Sequence, residues 1–394
     1  MTSARQTIYS LSGSLTILLA LPVIAAIVFC LAIIAPSLST SSWANELNQE
    51  SKLWRVIYVE AGSYRDYSLN LVGLAKGLKE LNLIERAKPL SDESASVWRY
   101  LSEQAGGTRL KFLEDGFYSA NWDKNQLIAI KNKILSRIKA GEVDLILTFG
   151  TQAGQSLATE EHNTPVLSIT ATDPVAAGIV KQSRLSGLEH VHAQVESGNL
   201  WRQLSLFHNV FHFKTLGVPL DSTAEGQATM GLKSIEAVAK EKGFEIISCV
   251  SDLESPDFDK NFQNLLKCLN RLTVESEAIY LTVNNGMRED RFGQILAPIV
   301  AAKKPSFSQK GPDETRQGVL LSLAEDDFIG SGRFEANVIQ KILNGQSPGS
   351  IDQIYVAPLT MALNFQMAKN IGWNPPFEFL ASVDALYPTM VELP

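Results

Sequence analysis

Five clusters of small polar residues punctuate the chain: Gly62-Ser63, Gly150-Thr151-Gln152, Thr172-Asp173, Asp221-Ser222-Thr223 and Asn284-Asn285-Gly286. Each sits at or just beyond the end of a run of apolar, β-favouring residues, as in "DLILTFGTQ" and "PVLSITATDP". Hydroxyls, amides and glycines at helix starts suit a bound carboxylate, because the backbone N–H groups there are unpaired and the helix dipole favours anions. Asp173 or Asp221 would suit an ammonium. Taken singly, each residue is equally a helix cap or a turn former. As a set beyond the ends of several strands, they define a candidate ligand cleft.

Other chemistries lack their residues. No GxGxxG follows the first strand, and "GSGRFE" at Gly330 breaks that pattern; no phosphate-binding loop and no G-x-S-x-G elbow is present. All five histidines lie between His162 and His212. His208 and His212 are four apart, a zinc-ligand spacing on a helix, but no acidic residue or cysteine is spaced with them. No metal, cofactor or catalytic residue is expected, and the chain does not read as an enzyme. A net charge of −7 argues against a nucleic-acid partner held by phosphate contacts.

The clusters need a scaffold, and the hydrophobic pattern supplies one. From Trp54, β-rich runs alternate with helical periodicity: "LWRVIYVE", then Leu71, Leu74, Ala75 and Leu78 on one helix face. Asp123 with Gln126 forms a capping-box pattern ahead of Leu127, Ile130, Ile134 and Ile138. A second group repeats the rhythm through "KTLGVPL", "FEIISCV", "AIYLTV" and "GVLLSLA". Strands separated by helices predict βαβ units, hence an α/β fold of two Rossmann-like lobes with parallel sheets. The joint falls near Ser183–Ser197, without a Gly/Ser linker. A further helix from Phe328 and an extended run "IDQIYVAP" predict that the chain crosses between lobes more than once.

The amino terminus stands apart. Leu15 to Pro36 carries no charge, and Arg5 is the only charged side chain before Glu46. The run reads as a secretory signal, with Ser42-Trp43-Ala44 as cleavage site, or as a single membrane span, which its length favours. Either reading exports everything after Ala44, soluble if cleaved and anchored in the inner membrane if not. Phe29 before Cys30 is too large for a lipid-attachment site. Cys249 and Cys268 either pair in an oxidising compartment or stay as buried thiols.

"VDLILTFGTQAGQSLA…TPVLSITATDPVAAGIV", "KTLGVPLDSTAEGQA", "SEAIYLTVNNG" and "GVLLSLAEDDFIGSGRFEANVIQKILNGQSP" together resemble substrate-binding proteins of ABC importers, in the branch that takes up aromatic amino acids. The resemblance spans most of residues 52–375. It implies a type I periplasmic binding fold, with two lobes joined by a multi-crossover hinge and a solute closed between them. Lobe 1 would comprise residues 52–188 with 325–345 returning to it, and lobe 2 residues 189–324 with about 350–394 packing on it; residues 1–44 form the export segment. The implied ligand positions are Thr151, Gln152, Thr172, Asp173, Asp221 and Asn284, with Glu325 near a crossover. Gly62, Ser63, Ser222 and Asn285 join them by position alone. The implied partners are a small polar metabolite, such as an amino acid, and an ABC permease in the inner membrane, with the binding protein a monomer. A membrane-tethered ligand-sensing or accessory module is the alternative. The chain departs from the family in the charged loop "EAGSYRDYS", in "SGLEHVHAQ" at the first crossover, in a longer segment around "SASVWRYLSEQ", and in Pro219 within a strand.

Overall fold

The strand Trp54–Glu60 (β1) is β-branched and aromatic, and every residue from Val56 to Glu60 is buried, as a strand covered on both faces requires. The structure containing it is a computed structural model that describes residues 52–87, 91–196, 198–325 and 328–390. The apolar run Leu15–Pro36 and the Ala44 cleavage site lie outside the described residues. Among the described residues no helix is long and apolar enough to cross a membrane.

β1 is the second strand of an all-parallel sheet, in the order β2-β1-β3-β4-β5. Its other members are β2 (Leu110–Ser119), β3 (Leu145–Phe149), β4 (Val166–Ile169) and β5 (Val191–Ala193). Helices α1 (Arg65–Glu80), α2 (Ser94–Gln104), α3 (Lys124–Lys139) and α4 (Thr151–Leu157) cover its faces. α1 follows the predicted stripe, with Leu71, Leu74, Ala75 and Leu78 buried. Asp123 caps α3, accepting from the N–H groups of Asn125 and Gln126. α2 occupies the segment that departs from the family in length. Its apolar anchors, Val97, Trp98 and Leu101, are too few to show a helical period.

The second sheet has seven strands in the order β12-β11-β10-β9-β8-β6-β7. They are β6 (Thr215–Asp221), β7 (Glu245–Ser251), β8 (Ala278–Leu281), β9 (Ser306–Ser308), β10 (Leu321–Glu325), β11 (Leu359–Asn364) and β12 (Ala385–Tyr387). All pairs are parallel except β10 with β11. Helices α5 (Asn199–Phe211), α6 (Ala224–Thr229), α7 (Leu232–Lys242), α8 (Phe258–Glu275), α9 (Phe292–Ala302) and α10 (Pro312–Gln317) accompany it. Pro219 is tolerated inside β6 because pairing with β8 has already ended at Gly217. Its carbonyl still accepts from Thr282 Oγ1 at 2.8 Å. A Cys249–Cys268 disulfide ties β7 to α8, which decides between the two states open to those cysteines.

The chain passes between sheets after β5, after β10 and again before β11. The second passage leads into α11 (Phe328–Leu343), which returns to the first lobe and crosses α1 closely enough that no side chain fits at Gly73 or Gly332. The extended run "IDQIYVAP" is not a full strand. It makes one isolated bridge, Ile354 to Val195, and Gln353 N donates to Arg184 O at 3.0 Å. Gln353 pins it there, accepting from Ala193 N at 3.1 Å and donating to Gln182 O at 2.9 Å.

Candidate functional site

Residues just past the carboxyl ends of parallel strands in both sheets line one space, the place where open α/β folds bind ligands. A cavity of about 190 Å³ lies between them, lined from both lobes and from the hinge. A void of ~150 Å³ admits a benzene-sized molecule, and drug-sized ligands fill roughly 300–1,000 Å³. The space therefore matches one small metabolite.

The first-lobe wall is aromatic and conformationally strained. Trp122 (φ 63°) and Thr170 (φ 59°) both line the cavity in the left-handed region, where a bulky or β-branched residue persists only if its surroundings hold it. Trp122 is held by its N–H to Ala61 O and by its indole lying on Gly62, where a Cβ would overlap the ring. Tyr67 likewise packs its hydroxyl against Gly150, whose φ of 85° lets the chain turn from β3 into α4. Burial, then Glu60 and Glu254, pushes the Tyr67 hydroxyl above its ordinary range, so it stays a neutral donor.

The second-lobe wall is made of pinned amides. Gln309 Oε1 accepts from Val283 N at 3.0 Å and its Nε2 donates to Met230 O at 3.4 Å. Asn284 closes a local turn, donating to Thr282 O at 2.8 Å and accepting from Gly286 N at 2.9 Å. Side chains locked in this way are pre-organised for a ligand.

Of the residues singled out from the sequence, Thr151, Thr172, Asn284, Asn285 and Glu325 line this cavity. Gly62 lies behind Trp122, and Ser63 is exposed to solvent. Asp221 is fully buried beneath the wall, accepting from Thr223 N and Oγ1, Leu253 N and Glu254 N. Its neighbour Ser222 is exposed. Asp173 caps the turn at Ala176 N (2.9 Å) and accepts from Ser234 Oγ of the other lobe. Gln152 reaches Glu254 across the cleft at 3.5 Å. Sequence reasoning missed Trp122, Glu254 and Lys310. All three lie two or three residues past the ends of β2, β7 and β9, so the strand-end rule applied to every strand would have found them.

Further contacts hold the lobes together. Thr172 Oγ1 donates to Thr229 O (2.7 Å), Lys233 Nζ to Ala176 O (2.8 Å), and ion pairs join Lys124 to Glu225 (2.9 Å) and Arg65 to Asp313 (3.2 Å). A family model described as ABC transporter substrate binding protein matches residues 103–384 of this chain, well over half of it. The chain belongs to that family. A search of the curated proteins returns no match. Among solved structures, the ABC domain in complex with L-Trp from Streptococcus pneumonia is 18% identical, with TM-score 0.64, over 85% of this chain and 100% of that one. A conserved domain protein from Vibrio cholerae is 19% identical with the same TM-score and coverage. The ligand-free, open structure of a substrate binding protein with adhesive properties from Clostridium difficile is 16% identical, TM-score 0.56, over 86% of this chain and 100% of that one. At these identities the likeness is one of fold, and the fold is the type I periplasmic binding fold.

The hinge of this substrate-binding protein is acidic. Glu196 and Glu325 hydrogen-bond to each other, and burial raises Glu196 above the ordinary carboxyl range. Tyr355 Oη donates to Glu325 Oε1 at 2.9 Å, and Asn199 Nδ2 donates to Glu196 Oε2. Two carboxyls in hydrogen-bond contact share a proton, since both cannot ionise cheaply side by side. On the second-lobe wall, burial and then Asp221 push Glu254 up to about 8. Among the described residues, no group of three or more His, Cys, Asp or Glu side chains is placed to hold a metal ion.

Proposed function

We propose that this protein works outside the cytoplasm as the solute receptor of an ABC importer, closing its lobes on a small polar metabolite and presenting the closed form to a permease. The observation that carries the reading is the cavity itself: about 190 Å³, walled by the carboxyl ends of both sheets, with locked amides on one side and rings on the other. The mechanism is population shift. A ligand touching both walls stabilises the closed form by its differential affinity for it, supplementing contacts such as Thr172–Thr229. The L-Trp complex of the pneumococcal structure makes an amino acid a reasonable first class to try. Trp122, in the cavity wall, is a built-in reporter. Titration of the protein with amino acids, amines, sugars and dicarboxylates, read by intrinsic fluorescence, should give one saturable response with a blue or red shift absent in Trp122→Phe. Flat titrations throughout such a panel would count against the reading. Export follows from the uncharged run Leu15–Pro36, and we place cleavage after Ala44. Amino-terminal sequencing of the mature protein would show Asn45 for a free receptor and Met1 for a tethered one.

A further inference from the structure

The cavity's own charges say what class of solute it takes, an inference that rests on the reading above. Four carboxyl groups line it, Asp66, Glu196, Glu254 and Glu325, with one ammonium, Lys310. That lysine is already committed: it bridges Glu289 at 3.1 Å, lies 5.3 Å from the Tyr64 ring centre, and has Asp66 and Glu314 as its other acidic neighbours. It balances the Asp66 side of the cavity. The hinge pair Glu196–Glu325 is eased by its shared hydrogen bond and by Arg202, which reaches Glu196 through Asn199. Glu254 has no such relief. It is only 8% exposed, and its contacts are amide donors at the long end of the range: Asn285 N at 3.3 Å, Asn285 Nδ2 at 3.5 Å and Gln152 Nε2 at 3.5 Å. Behind it lies Asp221, another buried carboxylate, whose hydrogen bonds come from backbone N–H groups and a hydroxyl.

We propose that the solute is a cation, a small metabolite whose ammonium or guanidinium group pairs with Glu254 inside a cavity walled by the Tyr67 and Trp122 rings. An anionic solute would enter against a surplus of like charge. A neutral polyol could hydrogen-bond every carboxyl, yet it would bring no counter-charge to Glu254 or to Asp221 behind it. A cation supplies that counter-charge, and aromatic faces attract cations as well, as Lys310 over Tyr64 already shows within this site. The same logic links binding to pH. Burial and Asp221 keep the Glu254 carboxyl protonated at neutral pH in the empty cavity, and a cation that pairs with it expels the proton. The groups facing Glu254 are Asp221 from β6 and Tyr67 from α1, with Asp66, Glu196, Glu325 and Lys310 elsewhere on the wall. Affinity for a cation should therefore rise with pH up to about 8 and level off beyond.

The test is calorimetric titration of the full chain with six probes: 1,4-diaminobutane, L-lysine and L-arginine as cations, L-tryptophan as zwitterion, D-glucose as neutral polyol and succinate as anion. Runs at pH 6.5 and 8, in two buffers of different ionisation enthalpy, count the protons released. The expected result is saturation by at least one cation, about tenfold tighter at the higher pH, with proton release, and a loss of about tenfold or more in Glu254→Gln together with the pH dependence. Glutamine retains an oxygen for Asn285 N, so this variant should fold; if it does not, proton release by the wild type still decides the matter. Saturation by L-tryptophan, D-glucose or succinate in preference to the cations overturns the inference while leaving a solute receptor. A cation that binds equally well to Glu254→Gln, or without proton release, overturns it too. Saturation by none of the six would overturn both this inference and the reading beneath it.

Discussion

Glu254 and Glu335 are both nearly sealed from solvent, and burial pushes each carboxyl up to about 8, with Asp221 adding to the effect at Glu254. What surrounds them differs. Glu254 lines the cavity between the lobes and is reached by amides of both lobes. Glu335 lies on the buried side of α11, where neither of its oxygens has a hydrogen-bond partner among the described residues. Burial raises both groups whether or not a ligand site adjoins them. What separates a binding group from an interior liability is an adjoining space in which a counter-charge can arrive.

The strongest way to break this comparison is to open the interior one. Gly332→Leu would drive a side chain into the Gly73 backbone and prise α11 from α1. The expected cost is on the order of 4 kcal/mol, seen as loss of cooperative unfolding of the first lobe; a wild-type melting curve would contradict the packing described. Next is Glu335→Met, which should stabilise. A carboxyl raised from 4.5 to about 8 has its full share of stability below pH 4.5 and loses it as pH rises through 8. The gain in denaturant unfolding should thus be smallest near pH 4.5 and reach on the order of 3–4 kcal/mol by pH 8. A gain independent of pH would mean that Glu335 is not held protonated.

Smaller effects sharpen the Glu254 side. The Cys249–Cys268 bridge fastens both flanks of the loop that carries Glu254. Cys268→Ser should cost about 3 kcal/mol by the chain-entropy model and let water reach the loop, lowering the Glu254 value toward the ordinary range. Carboxyl titration by NMR reads the second part, and an unmoved Glu254 would separate the bridge from the site. Gly62→Ala should displace the Trp122 ring at a cost of about 1–2 kcal/mol and change intrinsic fluorescence. The smallest change expected is for Lys124→Ala. Its pair with Glu225 is about half exposed on both sides, so affinity should shift no more than about twofold and only at low salt.

Much of the scaffold was legible because its signals are local. The stripe Leu71–Leu78, the Asp123 cap and the alternation of strands and helices each arise within one or two turns of chain, and the structure repeats them. α2 was missed because three apolar residues do not make a period. At the site, Thr151, Thr172 and Asn284 were readable as strand-end residues and do line the cavity. Asp173 and Asp221 carry the same signal but satisfy neighbouring loops instead, since a carboxylate beside unpaired N–H groups will accept from them whether or not a ligand exists.

By itself the sequence determined the α/β alternation, the helix starts and the small residues beyond the strands, because periodicity and capping are settled among near neighbours in the chain. Only the tertiary structure decided which of those residues face a space. It brought Trp122 across to Gly62, set Glu254 against the cavity and left Glu335 enclosed. Electrostatic character in a folded chain depends on what closes around a group from distant segments, and no local pattern records that.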